Sequence, residues 1–153
     1  MPSFCFGFSN LSEGIKLPQT LQKLGYECLE YCYFTKIDLP SSITKIEDGA
    51  FKHCYNLQSI VFPDNLKEIP RECFWHCLKL TDVKLPAALE TIGYQCFYEC
   101  TSLEHISIPN SVNDIANIGG AAFTNCSKLK EITIPSKVMT ITANFRGCSS
   151  LEK

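Results

Sequence analysis

No apolar run in the sequence approaches the roughly 20 residues that a membrane-spanning helix needs, so none is expected. Neither sign of charge dominates. Fourteen basic against 16 acidic residues leave a net −2 over 153 residues, which gives no electrostatic reason to expect nucleic acid or insertion into a membrane. Phosphate loops, Rossmann glycine fingerprints, nucleophile elbows and H-E-x-x-H helices are all missing. The pair Gly119-Gly120 lacks the Lys and following Ser or Thr that a phosphate loop requires. An enzyme is not expected, and no cofactor is implied. Met1 to Ser9 carries three phenylalanines but no basic stretch and no small-residue cleavage site, so it does not read as a secretory signal.

What is present is an ordinary globular apolar fraction, 45%, together with ten cysteines and a fixed period. Pro40, Pro63, Pro86 and Pro109 stand 23 residues apart, Pro18 precedes by 22 and Pro135 follows by 26. Aligned on them, the copies read P-x-x-[LIV]-x-x-I, a small residue or Cys, Phe, then x-x-C-x-x-L-x-x-[IV]-x-[LIF]. The full copies give Ile43, Ile46, Ala50, Phe51, Cys54, Leu57, Ile60 and Phe62, then Leu66, Ile69, Cys73, Phe74, Cys77, Leu80, Val83 and Leu85. The third gives Leu89, Ile92, Cys96, Phe97, Cys100, Leu103, Ile106 and Ile108. The fourth carries three extra residues around Ile118 to Ala121, and Gly119-Gly120 suits a bulged turn there. The copy at Pro18 has Leu29 in place of Phe and lacks one residue near Phe34. The last keeps Val138, Ile141, Phe145, Cys148 and Leu151 and is incomplete.

This pattern resembles the BspA-like class of leucine-rich repeats over about residues 11 to 153. The expected fold is an α/β solenoid, a right-handed leucine-rich-repeat superhelix of five to six rungs with a short-stranded parallel β-sheet. Residues 1–17 are expected as a partial repeat or cap, and 18–153 as the array, with copies starting near 18, 40, 63, 86, 109 and 135. Segments such as Leu57 to Phe62 are β-rich and end at a proline that cannot continue a ladder. A second extended piece is expected near Ile43 to Ile46. Ala50 and Cys54, four apart, predict short helical or 3-10 turns.

Six cysteines (Cys32, Cys54, Cys77, Cys100, Cys126, Cys148) share one repeat position, and Cys28, Cys73 and Cys96 share another with Ala50 and Ala122. Interchange with Ala favours small buried thiols. Bridges between stacked rungs are within reach of Cα geometry, although parallel side chains in a file point the same way. The C-x-x-x-C spacing lacks the form usual at structural zinc.

Binding specificity has to reside in the variable outward positions. On the strands these form the columns Thr35, Gln58, Thr81, Glu104 and Lys130; Lys36, Ser59, Asp82, His105 and Glu131; and Asp38, Val61, Lys84, Ser107 and Thr133, which are polar and mixed in sign. After the repeat Phe, Trp75 and Tyr98 share one position, Tyr55 and Leu78 another, and Tyr26 and Tyr94 a third. Stacking is expected to set them on adjacent rungs as an interface for another protein. The bland alternative is that these rings only wall off the cysteine turns. His53, His76 and Glu99 share a column that resembles a zinc set, but rungs near 5 Å apart do not by themselves converge three ligands, and no metal is expected.

The chain therefore reads as a non-enzymatic protein-binding module. The resemblance implies an adhesion-type surface protein. The location expected is cytoplasmic if the chain is complete and cell-surface or secreted if it is part of a family-like parent. The alternative is an assembly subunit that stacks on itself through the uncapped strand ending at Ile134.

Overall fold

The computed structural model describes residues 15–112, 120–138 and 143–152. Most of the expected cap over 1–17, Cys5, Ile118 and Gly119 of the insertion, and Ile115 and Ile141 lie outside the described residues. Two kinds of strand alternate along the chain. The three-residue strands are β2 (Lys36–Asp38), β4 (Ser59–Val61), β6 (Asp82–Lys84), β8 (His105–Ser107) and β9 (Glu131–Thr133). The two-residue strands are β1 (Lys23–Leu24), β3 (Lys45–Ile46), β5 (Glu68–Ile69) and β7 (Thr91–Ile92).

All pairing is parallel and in register by one repeat: Ile37 opposes Ile60, Ile60 opposes Val83, and Ile69 opposes Ile92. The longer strands form the orders β2-β4-β6 and β8-β9, and the shorter ones β1-β3 and β5-β7. One strand residue in two points inward. Ile37, Ile60, Val83 and Ile106 are buried, while Lys36, Asp38, Val61, Lys84 and Ser107 face out. The result is a parallel β-solenoid of about five turns. Phe34, fully buried, stands where other copies place Leu57, Leu80 and Leu103, which accommodates the missing residue. The C-terminal edge is less bare than its sequence suggests, because Glu152 N donates to Lys130 O beside β9 (3.0 Å).

The third side of each rung differs from expectation. Only Ala143–Phe145 forms a 3-10 helix among the described residues, so the helical turns and the α/β label do not describe the rest. The segments around Phe51, Phe74 and Phe97 are chained four-residue turns. In the rung of Phe97, the N–H groups of Cys96, Tyr98 and Cys100 bond back three residues, to Gly93, Gln95 and Phe97. Those of Gln95, Phe97 and Glu99 bond across to Gly120, Ala122 and Thr124 of the next rung. A residue of left-handed φ at the third position of the first and the last of these turns makes this alternation. One file is Glu27, Gly49, Glu72, Gln95 and Ala121, and the other is Tyr31, His53, His76, Glu99, Asn125 and Gly147, with φ between 46° and 77°. Two turns in succession repeat every four residues, so Ala50 and Cys54 both point inward without a helix. The four-residue spacing was legible in the sequence; its cause is the turn pair.

Under these turns, the buried Phe51, Phe74, Phe97 and Phe123 and the partly buried Phe145 stack nearly parallel with centroids 5.3 to 5.7 Å apart. Beside them the thiols of Cys54, Cys77, Cys100, Cys126 and Cys148 each donate to a carbonyl of the preceding rung, at Leu29, Phe51, Phe74, Phe97 and Phe123 (3.0 to 3.2 Å). Among the described residues no disulfide joins any cysteine, and eight of the nine are buried. Burial pushes the thiols of Cys54, Cys73, Cys96 and Cys100 well above the usual range, away from the reactive thiolate. In the second cysteine file, where Ala50 and Ala122 stand in other copies, Cys73 shows no such donor bond among the described residues.

Candidate functional site

The left-handed turn residues aim their side chains, and those of their neighbours, outward. The residue after the repeat Phe forms the file Glu30, Lys52, Trp75, Tyr98, Thr124 and Arg146, and the next residue forms Tyr31, His53, His76, Glu99, Asn125 and Gly147. Trp75 and Tyr98 meet edge to face at 5.7 Å, as adjacent rungs require. Tyr31 stacks on His53 (4.6 Å), and His53 contacts Tyr55, Trp75 and His76. Tyr31 and His53 thus join a ring network whose sequence signal was only Trp75, Tyr98 and Tyr55. Those three are half-buried, whereas Leu78 is exposed. Tyr26 and Tyr94 are exposed and share a column, but they sit three rungs apart with Asp48 and Arg71 between. They do not stack on adjacent rungs, a correction that their separation of 68 residues already required.

Charge is held tightly at one end of this face. Lys52 Nζ lies 4.2 Å from the Trp75 ring centroid and pairs with Glu72 at 2.8 Å, both side chains largely buried. Burial lowers the affinity of Lys52 for its proton, but Glu72 outweighs it and the pKa is raised. For Glu72, burial pushes up while Lys52 and Arg71 outweigh it and hold the carboxyl low.

The histidine column does not form a ligand set. His76 Nε2 is 3.0 Å from Glu99 Oε2, but His53 turns its Nδ1 to the Tyr55 hydroxyl (3.1 Å), and burial with the neighbouring His76 and Lys52 lowers its pKa to about 4. Among the described residues no three His, Cys, Asp or Glu gather as metal ligands, and no helix is long and apolar enough to cross a membrane.

Two buried side-chain polar atoms lack any hydrogen-bond partner among the described residues, Trp75 Nε1 and Thr124 Oγ1, and both belong to the one file. Beyond Tyr98 the file borders a cleft of about 480 Å³ lined by Gln95, Tyr98, Ala121, Thr124, Asn125 and Arg146. Reading the Trp75–Tyr98 column to its end would have found Thr124 and Arg146; looking for aromatics alone stopped short of them.

Stacked short strands and turns at a constant register define a repeat solenoid of the leucine-rich class. The model of the BspA type leucine rich repeat region matches residues 1–117 and 102–153, in 6 copies, and the chain belongs to that family. Among solved structures it is similar to a leucine-rich repeat protein from Eubacterium ventriosum (25% identity, TM-score 0.86, 99% of this chain and 40% of that one). It is similar also to the Treponema pallidum leucine rich repeat protein (29%, 0.76, 99% and 59%) and to one from Bacteroides ovatus (28%, 0.70, 91% and 42%). The chain therefore spans less than two thirds of these relatives. No curated protein matches it.

Proposed function

We propose that the chain is a protein-binding scaffold rather than a catalyst, and that its contact surface is the turn-face file Lys52, Trp75, Tyr98, Thr124 and Arg146 with Tyr55 and Leu78 beside it. The observation that carries the reading is the confinement of both unpartnered buried polar atoms to this file. Buried donors left unmade are costly, and Trp, Tyr and Arg are the side chains that dominate interface energetics. At a rung spacing of about 4.8 Å the five positions run about 19 Å, which an extended segment of roughly six residues covers. Tyr26 and Tyr94 lie outside this run. A surface role for a longer parent, which the family resemblance suggests, is part of the same proposal; a pneumococcal vaccine antigen is among the similar structures.

The test is capture of partners from extracts of its native surroundings by the immobilised chain, with circular dichroism to verify folding. The double variant Trp75→Ala, Tyr98→Ala should recover at least about tenfold less partner, as for interface hot spots. A strand-face control, Gln58→Ala with Thr81→Ala, should recover as much as the parent. Undiminished recovery by the turn-face variant sinks the reading.

A further inference from the structure

The cleft at the Arg146 end of the file presents donors and no anionic side chain of its own. Thr124 lines it at 7% exposure, with its hydroxyl oxygen buried. Tyr98 Oη accepts a long bond from Asn125 Nδ2 (3.5 Å), which leaves the tyrosine O–H to donate. Arg146 is exposed at the rim, no carboxylate lines the cleft, and none is paired with Arg146 among the described residues. Glu99, bonded to Asn125 of the lining (3.3 Å), is also paired with His76 (3.0 Å).

We infer that this cleft is a carboxylate subsite, taking an Asp or Glu side chain of an acidic partner segment against Arg146 and Tyr98. The inference rests on the turn-face file being the contact surface and adds the chemistry of what it reads. Guanidinium and carboxylate match in charge and in fork geometry, and hydrogen bonds to ionised groups are the stronger kind. One arginine balances one negative charge. A phosphate dianion would be under-compensated here, with Glu99 just beyond Asn125.

The probes are short capped Gly-Ser peptides with one central Glu, the same peptides with Gln instead, and inorganic phosphate, titrated into the isotope-labelled chain and followed by amide NMR shifts. The Glu peptide should bind about tenfold tighter than the Gln peptide, which corresponds to one charge-assisted contact. Shifts should centre on Tyr98, Thr124 and Arg146. Arg146→Gln should erase the preference, and the near-isosteric Tyr98→Phe should reduce it while leaving the chain folded. Equal binding of the two peptides, no binding of either at millimolar concentration, tighter binding of phosphate, or a preference that survives Arg146→Gln overturns the subsite. Failure of the contact surface itself shows elsewhere, as undiminished partner capture by the Trp75, Tyr98 variant.

Discussion

The strand face and the turn face of each rung are built from the same 23-residue copy, yet they treat polar groups in opposite ways. On the strand face the ladder is regular and the outward side chains pair in solvent, as Lys130 with Glu104 (2.8 Å) and Lys67 with Glu90 (2.7 Å), contacts that contribute little. On the turn face nine non-glycine residues hold left-handed φ, and two buried donors go unmade. The strain recurs in every described rung and so belongs to the scaffold. Among the described residues the unmade donors occur at two rungs, in one column. In a repeat protein, what every copy shares is architecture, and what one or two copies alone possess is where specificity is to be sought.

The sharpest way to break this contrast is through the thiols, which tie rung to rung on the turn side only. Cys77 donates to Phe51 O (3.2 Å), whereas Cys73, in the column that admits Ala, makes no such bond among the described residues. Cys77→Ala should therefore cost about 1 kcal/mol more than Cys73→Ala in urea unfolding, the net worth of a buried hydrogen bond. Equal costs would mean that the thiols only fill space.

A comparable or smaller effect is expected from pH. His53 titrates near 4 when folded against 6.5 ordinarily, so its neutral ring contributes stability above pH 6.5 that is lost as pH falls through about 4. The ring is partly exposed and solvent screens it, so the loss is on the order of 1 kcal/mol at most. Unfolding midpoints for the parent and for His53→Asn should converge as the pH drops across that window. Asn is the apt replacement because Asn125 already holds left-handed φ in the same file. A parallel decline in both proteins would assign the acid sensitivity to other groups.

The smallest change concerns the strain. Ala121, at φ 57°, should gain about 0.5 kcal/mol on replacement by Gly, the relief of a left-handed Cβ less the added chain entropy. A loss of stability by calorimetry would show that the turn conformation is not strained there.

Much of this fold was legible because the period fixes it. Prolines 23 residues apart, with Ile37, Ile60 and Val83 recurring at one place, give strands, register and inward faces directly. The turns were misread because a four-residue spacing of small buried residues is common to a helix and to two chained turns. What separates the two is the sign of φ at Glu27, Glu72 or Gln95, residue types that announce no left-handed preference. The site was half legible. Trp75 and Tyr98 stand out by type, but Thr124 and Arg146 are commonplace side chains, and only burial without a partner distinguishes the threonine.

Every crosswise turn bond runs the same way: the N–H groups of one rung reach the carbonyls of the rung that follows. The turn face is thereby polar along the stack, with backbone acceptors turned toward one end and donors toward the other, whereas strand-side bonds such as Thr81 N to Gln58 O run the opposite way. On the turn face, rungs are complementary only head to tail, the arrangement that prolongs a stack without closing it.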